Sequence, residues 1–318
     1  MIVLENASAG YVTTSKPVVA ADGINLTVGT NQIVGIAGES GCGKSTLLKL
    51  IYGQVGRGME LFSGTAKWKV GEDEYVGLDT VKSLWWDRIT YIPQAVNTLN
   101  PVMKIEDQLM DCMPARLKNR GRAALRADLV AFFGNLGLDE TVFSMFPFQL
   151  SGGMMQRVLI SLAAFPQPDL ILADEPTTAL DVVVQKRILI LLHQVQRKLG
   201  NALVFVSHDL GVHYQISDRI VICYAGKIVE DGPTTEIFAR PRHPYTKALI
   251  DALPRVDDQD RRQGLHGRPP HLSAPPKGCR FAARCAFAQD KCRAEEPVSH
   301  NLGLTTAACH FPLEVSNG

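Results

Sequence analysis

The sequence lacks the features by which a chain binds nucleic acid or enters a membrane directly. Its formal net charge is +1 at pH 7, and no long basic run gives it an electrostatic footprint for DNA or an anionic bilayer. No apolar run reaches the roughly 18 residues of a spanning helix, and the N-terminus has neither a basic region nor a long apolar stretch. We therefore expect a cytoplasmic protein that binds no nucleic acid and reaches a membrane only through a partner.

A glycine-rich segment at residues 38–45 stands between an apolar run at 33–37 and helix-forming residues at 46–50. It matches a P-loop at every fixed position, where a buried strand turns into a helix. Glycines let backbone N–H groups surround phosphate oxygens, and the helix directs its positive end at the same charge. The pattern predicts that Lys44 reaches the β- and γ-phosphates of a nucleotide and that Ser45 ligates magnesium. The expected nucleotide contacts of this loop are Gly38, Glu39, Ser40, Gly41, Cys42, Gly43, Lys44, Ser45 and Thr46.

Two carboxylates, Asp174 and Glu175, follow a second apolar run at residues 170–173. We expect them at the carboxyl edge of a parallel sheet, where Asp174 would hold magnesium through water and Glu175 would polarise the attacking water. Gln94 lies just beyond another apolar run and could approach both the magnesium and the attacking water. His208 follows a further strand and is predicted to lie near the γ-phosphate. These positions predict the catalytic residues of a nucleotide hydrolase.

A second glycine-containing segment opens a helix at Ser151, Gly152 and Gly153, with Ser151 as the natural N-cap. Such a helix start is an anion site, but this one lies far in sequence from the P-loop. We expect it to complete the nucleotide site of a second cassette packed head to tail, so that the active form is a dimer. Tyr11 is a candidate for stacking on adenine, and Asp181 for a further nucleotide contact.

The order of strand and helix patterns predicts an α/β fold. We expect a parallel-sheet core, an antiparallel β subdomain and a helical subdomain at about 97–160. The nucleotide-binding domain would cover residues 1–240. A connecting segment at 241–276 becomes rich in proline and mixed charge, and a small cysteine-rich module at 277–318 follows it.

Four of the seven cysteines crowd into the last forty residues, with five, six and sixteen residues between successive members. In a nucleotide-binding chain of a reducing compartment, such a cluster favours metal over disulfides. The tight C-x-x-C pair usual in structural zinc sites is missing. Arg280, Arg284 and Lys291 could offset the charge of a bound metal group, or form a solvated basic surface. The clustered cysteines are Cys279, Cys285, Cys292 and Cys309, whereas Cys42, Cys112 and Cys223 are interpreted as ordinary buried or loop residues.

Together these motifs resemble the nucleotide-binding subunit of an ABC transporter, and in detail the oligopeptide and dipeptide importer branch. The resemblance covers nearly the whole chain. At position 154, the methionine resembles the residue found in the first of the two ATPase subunits that such importers carry. It implies the ABC-type fold, an ATPase activity that requires Mg²⁺, and ATP-driven dimerisation with a second, different ATPase subunit. The branch-specific runs are YIPQ at 91–94, TLNPV at 98–102, PFQLSGGMMQR at 147–157 and RHPYTKAL at 242–249.

The same resemblance implies the remaining partners and the metal. Two transmembrane permease subunits and an extracytoplasmic solute-binding protein would place the chain at the cytoplasmic face of the cell membrane. A coupling helix of the permease would dock beside Gln94 and Asn100, and Gln94 would ligate Mg²⁺ together with Ser45. In this family a similar C-terminal segment can hold a [4Fe–4S] cluster on its four cysteines, with zinc or no metal as the alternatives. The cargo would be peptides, with nickel complexes or oligosaccharides left open.

Two other interpretations compete with an importer subunit. Soluble cassette proteins of DNA repair, chromosome organisation or translation usually join two cassettes in one chain or insert a long coiled coil, and neither feature is present. A regulatory subunit that uses ATP only as a clamp is disfavoured by the intact Glu175 and His208.

Overall fold

Strands and helices alternate along most of the chain. A computed structural model describes residues 1–14, 16–56, 58–94, 98–178, 180–253 and 265–314. The strands are β1 (Ile2–Tyr11), β2 (Val18–Val28), β3 (Ile33–Ala37), β4 (Met59–Lys69), β5 (Tyr75–Val76), β6 (Ile89–Ile92), β7 (Leu170–Asp174), β8 (Ala202–Val206), β9 (Arg219–Tyr224), β10 (Lys227–Pro233), β11 (Ser299–Asn301) and β12 (Thr306–Ala308). The helices are α1 (Lys44–Tyr52), α2 (Ile105–Cys112), α3 (Ala115–Lys118), α4 (Arg122–Asn135), α5 (Gly152–Ala164), α6 (Val182–Leu199), α7 (Leu210–Ile216), α8 (Thr234–Ala239), α9 (Pro244–Asp251) and α10 (Asp290–Ala294).

Two compact units divide the chain. The first contains residues 1–28, 34–78 and 206–318, and the second contains residues 29–33 and 79–205. Neither unit is continuous in sequence, so each is assembled from segments that tertiary contacts bring together.

The first unit contains an antiparallel sheet in the order β2-β1-β4-β5. Leu4 in β1 pairs with Leu26 in β2 on one side and with Ala66 in β4 on the other. All three side chains are buried. Buried and less buried positions alternate along parts of these strands, as expected for a sheet with one covered face.

A second group of strands in the first unit follows the order β11-β12-β10-β9-β3. β3 and β9 are parallel, whereas β9 and β10 are antiparallel, so the sheet is mixed. The C-terminal cysteine segment contributes to it, because β12 pairs with β10 through Ala307 and Glu230. A buried core of aliphatic and aromatic residues also joins this segment to β9, α8 and α9 through Phe281, Tyr224, Ile237 and Tyr245.

The second unit contains β8, β7 and β6 in that order, with β6 and β7 parallel. Its helices α2, α4 and α5 share a buried core that includes Ile105, Leu129, Phe133 and Leu162. The α/β class expected from the sequence is therefore confirmed. Within the described ranges no helix has both the length and the apolarity that a membrane crossing requires.

Candidate functional site

The P-loop follows β3, whose five residues are all buried, and leads directly into α1. Gly43 precedes the helix with φ 103°, a region that residues with a Cβ rarely adopt. A Cβ on Gly43 would lie 1.9 Å from the Ala20 carbonyl oxygen, and one on Gly38 would lie 2.1 Å from that of Cys223. The loop therefore lies directly against neighbouring backbone, and only glycine fits at these two positions.

Lys44 is buried inside the curve of this loop. Its Nζ donates hydrogen bonds to the carbonyl oxygens of Gly38, at 2.8 Å, and Glu39, at 2.9 Å. The side chain retains only 5% of its exposure. A cation held by weak neutral acceptors at this position is suited to bind phosphate oxygens, because they carry negative charge.

Glu39, in the P-loop itself, is held by two residues from the C-terminal part of the chain. Its backbone N–H donates to the Tyr245 hydroxyl at 3.0 Å. Its carboxylate accepts two hydrogen bonds from Arg284, at 2.6 and 2.9 Å. The hydrogen bonds to Glu39 raise the pKa of Arg284, and burial raises that of Tyr245. No sequence pattern pairs Tyr245 or Arg284 with Glu39.

Arg280 of the cysteine segment is also paired with a carboxylate. It donates to Asp22 and to the Ala225 carbonyl, and Lys227 approaches Asp22 at 3.2 Å. Burial alone would raise the pKa of Asp22, but the two cations outweigh it and the pKa is lowered. The interpretation as a solvated basic surface is therefore wrong for Arg280 and Arg284, which are buried ion-pair partners, whereas Lys291 is exposed. That these cations offset the charge of a bound metal group stays a prediction.

Tyr11 and His208 also belong to the first unit. Tyr11 ends β1, and its hydroxyl lies 3.5 Å from both Thr46 Oγ1 and Lys49 Nζ on α1. His208 is exposed directly after Ser207, whose backbone N–H donates to the Ile36 carbonyl at 3.3 Å. His208 therefore stands at the carboxyl end of β3, the end from which the P-loop starts.

In the second unit, the two expected carboxylates lie at the end of β7. Asp174 is buried and accepts a hydrogen bond from the Tyr91 hydroxyl at 3.0 Å. Glu175 has φ 45°, an unusual backbone conformation for a residue with a Cβ. Its carboxylate accepts from Gln94 Nε2 at 3.1 Å and from Thr178 Oγ1 at 2.8 Å. The structure thus brings Gln94 and Glu175 into contact.

Sequence reasoning missed Tyr91 and Thr178. Tyr91 belongs to the branch-specific run YIPQ, but a tyrosine in a strand gives no signal of its hydrogen-bond partner. Thr178 follows Glu175 by three residues, a spacing at which a hydroxyl reaches a carboxylate within a turn. That spacing is the signal that could have identified it.

The second glycine segment forms a helix start as predicted. Ser151 is the N-cap of α5 and accepts from the Met154 N–H at 3.3 Å, so its capping role is confirmed. Ser151 and Gly152 are exposed. Gly153 has a packing role, since a Cβ there would lie 2.9 Å from Val184 Cγ1. Asp181 caps α6 by accepting from two backbone N–H groups.

The four clustered cysteines line one small cavity of ≈ 10 Å³ in the first unit. They are free thiols, and burial raises the pKa of Cys309 to about 11 and that of Cys279 and Cys285 as well. Phe281 and Phe311 line the same cavity. Among the described residues, no three histidine, cysteine or acidic side chains are arranged to hold a single metal ion.

Comparisons with known proteins agree with these motifs. A family described as "ABC transporter" matches residues 21–178, and one described as "Oligopeptide/dipeptide transporter, C-terminal region" matches residues 229–292. The chain is 36% identical to the dipeptide transport ATP-binding protein DppD of Escherichia coli, over 99% of this chain and 97% of that protein. It is 35% identical to DppD of Caldanaerobacter subterraneus, over 98% and 97% of the two chains.

Among solved structures, a dimeric post-hydrolysis state of the ATP-binding cassette MJ0796 bound to ADP and Pi has a similar fold. The TM-score is 0.62 at 26% identity, covering 74% of this chain and 99% of that chain. A second dimeric structure of MJ0796, described as a bacterial ABC transporter cassette, also has a TM-score of 0.62, at 27% identity.

Proposed function

Because this chain belongs to the ATP-binding subunits of ABC transporters, in the oligopeptide and dipeptide branch, we propose that it powers peptide import across a membrane. It is an ATPase of that family. The observation that carries the peptide assignment is the near full-length similarity to proteins named for dipeptide transport, together with the branch-specific match at residues 229–292.

We assign the steps of ATP hydrolysis to the chain's own residues. Lys44 binds the β- and γ-phosphates of ATP. Ser45 and Gln94 are the residues that would hold Mg²⁺, and the ion would supply positive charge to the phosphoryl group. Asp174 would hold the same ion through water. Glu175 orients and polarises the attacking water, and its contact with Gln94 supports a shared task.

The remaining candidates complete the nucleotide site. His208 contacts the γ-phosphate, and its position at the carboxyl end of β3 supports this role. Tyr11 stacks on adenine, and its contact with α1 keeps it beside the P-loop. The other residues of the loop and Asp181 contribute nucleotide contacts. Exposed Ser151 and Gly152, with Gly153, bind the ATP of a second subunit.

The active assembly in this proposal is a heterodimer of this chain with a second homologous ATPase subunit. Both solved neighbours are dimers, which supports a two-cassette arrangement. Two transmembrane permease subunits would attach the heterodimer to the cytoplasmic face of the membrane, with a coupling helix beside Gln94 and Asn100. An extracytoplasmic solute-binding protein would deliver the peptide. ATP closes the two cassettes, and hydrolysis reopens them.

We propose the same domain division as the sequence indicates. The nucleotide-binding domain covers 1–240 with its helical subdomain at about 97–160, the connection covers 241–276, and the cysteine-rich module covers 277–318. Residues 254–264 and 315–318 lie outside the described part of the chain. The core of α2, α4 and α5 supports the helical subdomain.

A [4Fe–4S] cluster on Cys279, Cys285, Cys292 and Cys309 is the finer part of the proposal. Four thiols around one cavity form the donor set that such a cluster requires. Each thiolate would bind a different iron, so the sulfurs need not approach one point as they do around zinc, with Zn–S near about 2.3 Å. The cavity is small, and we expect the segment to fold around the cluster, since metal binding and folding are coupled in small modules. Iron, acid-labile sulfide and zinc analysis of anaerobically purified protein tests this part.

Glu175→Gln in the assembled transporter tests the ATPase assignment. Loss of the carboxylate should slow hydrolysis by about 10²- to 10⁴-fold while ATP remains bound, because the amide cannot take up a proton. Glu72→Gln makes the same chemical change at an exposed position and should leave turnover unchanged. Near wild-type hydrolysis by the Glu175→Gln transporter would overturn the role of Glu175.

A further inference from the structure

One residue of the P-loop connects the nucleotide site to the cysteine segment. Glu39 contacts Arg284, which directly precedes Cys285, and it also contacts Tyr245 of α9. We call these three residues, Glu39, Tyr245 and Arg284, the Glu39 clamp. Tyr245 and Arg284 lie 206 and 245 positions after Glu39 in the sequence, but all three residues belong to the same compact unit.

The ion pair in the clamp is bidentate, and its arginine is buried, which distinguishes it from a surface ion pair. The Arg284 side chain is 4% exposed, and both of its terminal nitrogens reach the carboxylate in the bidentate arrangement that gives strong, directional pairs. Its guanidinium lies over the rings of Tyr224, at 5.7 Å, and Phe281, at 6.0 Å. Arg284 also donates to the Tyr224 hydroxyl at 3.2 Å. A cation fixed on so many sides leaves its partner little freedom.

Glu39 connects the fixed position of Arg284 to Lys44, the residue assigned above to the phosphates of ATP. Its carboxylate is held by Arg284, its N–H by Tyr245, and its carbonyl oxygen accepts from Lys44 Nζ at 2.9 Å. All three polar groups of one residue therefore have partners. The Glu39 side chain is 26% exposed, so without Arg284 its carboxylate could turn towards water. The P-loop would then lose the bidentate contact that fixes Glu39.

We propose that Arg284 is a positioning residue for ATP, by which the cysteine segment keeps the P-loop in its binding shape. The proposal rests on the role given above to Lys44 at the phosphates. Coupling between two sites is reciprocal, so ATP at the P-loop must also stabilise the cysteine segment. The segment thus has a use that does not depend on redox chemistry at its thiols.

Three variants of the full chain test whether the cysteine segment affects nucleotide binding at the P-loop. Arg284→Gln should weaken the affinity for N-methylanthraniloyl-ATP by about two- to thirtyfold, the range found for residues that couple sites without touching ligand. Arg284→Lys keeps the charge but loses the bidentate pair, and should recover part of the affinity. Arg293→Gln changes an exposed arginine of the same segment, whose nearest carboxylate lies at 3.7 Å, and should bind as the wild type does.

Glu39→Gln and its combination with Arg284→Gln identify the route. If Arg284 acts through Glu39, the double variant should bind nucleotide no more weakly than the weaker single variant. Additive losses, or wild-type affinity in Arg284→Gln, would overturn the proposal. Absence of nucleotide binding by the wild-type chain would instead overturn the proposed function, so the two failures are distinguishable.

The effect of ATP on the cysteine segment is measured with the wild-type chain, so this test does not depend on whether a variant folds. Amide hydrogen exchange across residues 279–309 should slow by at least about twofold with saturating MgATP, the smallest coupling expected, whether or not the four thiols hold a cluster. AMP, which lacks the phosphates that Lys44 binds, should give no protection. Equal exchange rates with MgATP and AMP would overturn the coupling.

Discussion

Phe281 provides a quantitative test of how the cysteine segment is fixed to the first unit. It is 3% exposed, and its ring centroid lies 5.2 Å from that of Tyr224, 5.3 Å from that of Tyr245 and 5.9 Å from that of His243. Truncating a buried phenylalanine to alanine costs about 3–5 kcal/mol through lost burial and the cavity left behind. Phe281→Ala should therefore weaken the packing of the segment on β9 and α9 by that amount.

Hydrogen exchange read out by mass spectrometry measures this loss locally. If the segment opens as a unit, the amides of β11 and β12, and those of β10 that pair with β12, should exchange about 10²- to 5 × 10³-fold faster in Phe281→Ala. Phe281→Leu nearly conserves volume and should cost less than about 1.5 kcal/mol. Leu304→Ala truncates a side chain that is 70% exposed in the same segment, and should change little. If amide exchange were accelerated equally in the Phe281→Ala and Leu304→Ala chains, Phe281 would not be the residue that fixes the cysteine segment.

Three further predictions concern the first and second units separately. Gly43→Ala places a Cβ against the Ala20 carbonyl at φ 103°, and should lower the free energy of unfolding in urea by at least about 1–3 kcal/mol; an unchanged midpoint would contradict it. Gly153→Ala should lower the melting temperature because of Val184, and Val184→Ala in the same chain should restore it if packing alone requires the glycine. Burial lowers the pKa of His213 to about 4 from an unfolded value near 6.5, so the unfolded state binds the extra proton and stability falls as pH drops from 6.5 towards 4, by up to about 3 kcal/mol. Urea titrations across that range should show the fall, and His213→Gln should make it smaller by this amount. The fall that remains includes the contribution of His243, because burial lowers its pKa to about 4 as well.

Features set by neighbouring residues could be predicted from the sequence. The strand, turn and helix around the P-loop follow from an apolar run, glycines and helix formers in succession. Ser151 as a helix N-cap needs only its own hydroxyl and the Met154 N–H three residues later. Local hydrogen bonds of this kind depend on spacing along the chain, which a sequence displays directly.

Features set by tertiary contact could not be predicted in the same way. Arg284 and Glu39 are 245 positions apart, and an arginine near cysteines gives no indication that it reaches a P-loop carboxylate. β11 and β12 are three residues each, too short for a periodic pattern, and β12 pairs at the edge that β10 offers. The hydrogen bond between Tyr91 and Asp174 could not be predicted either. Tyr91 lies within β6 and Asp174 ends β7, and the sequence does not specify that these two strands are neighbours.

Peptide uptake into proteoliposomes is the direct test of whether ATP hydrolysis by this chain drives peptide import. The wild-type chain is reconstituted with its ATPase partner, permease subunits and solute-binding protein, ATP is supplied on the side of this subunit, and labelled di- and oligopeptides are supplied on the other. We expect ATP-dependent peptide accumulation that is lost with Glu175→Gln and kept with Glu72→Gln. Accumulation of nickel complexes or oligosaccharides in place of peptides would contradict the peptide assignment, and peptide uptake that persists with Glu175→Gln would contradict the claim that ATP hydrolysis by this chain drives it.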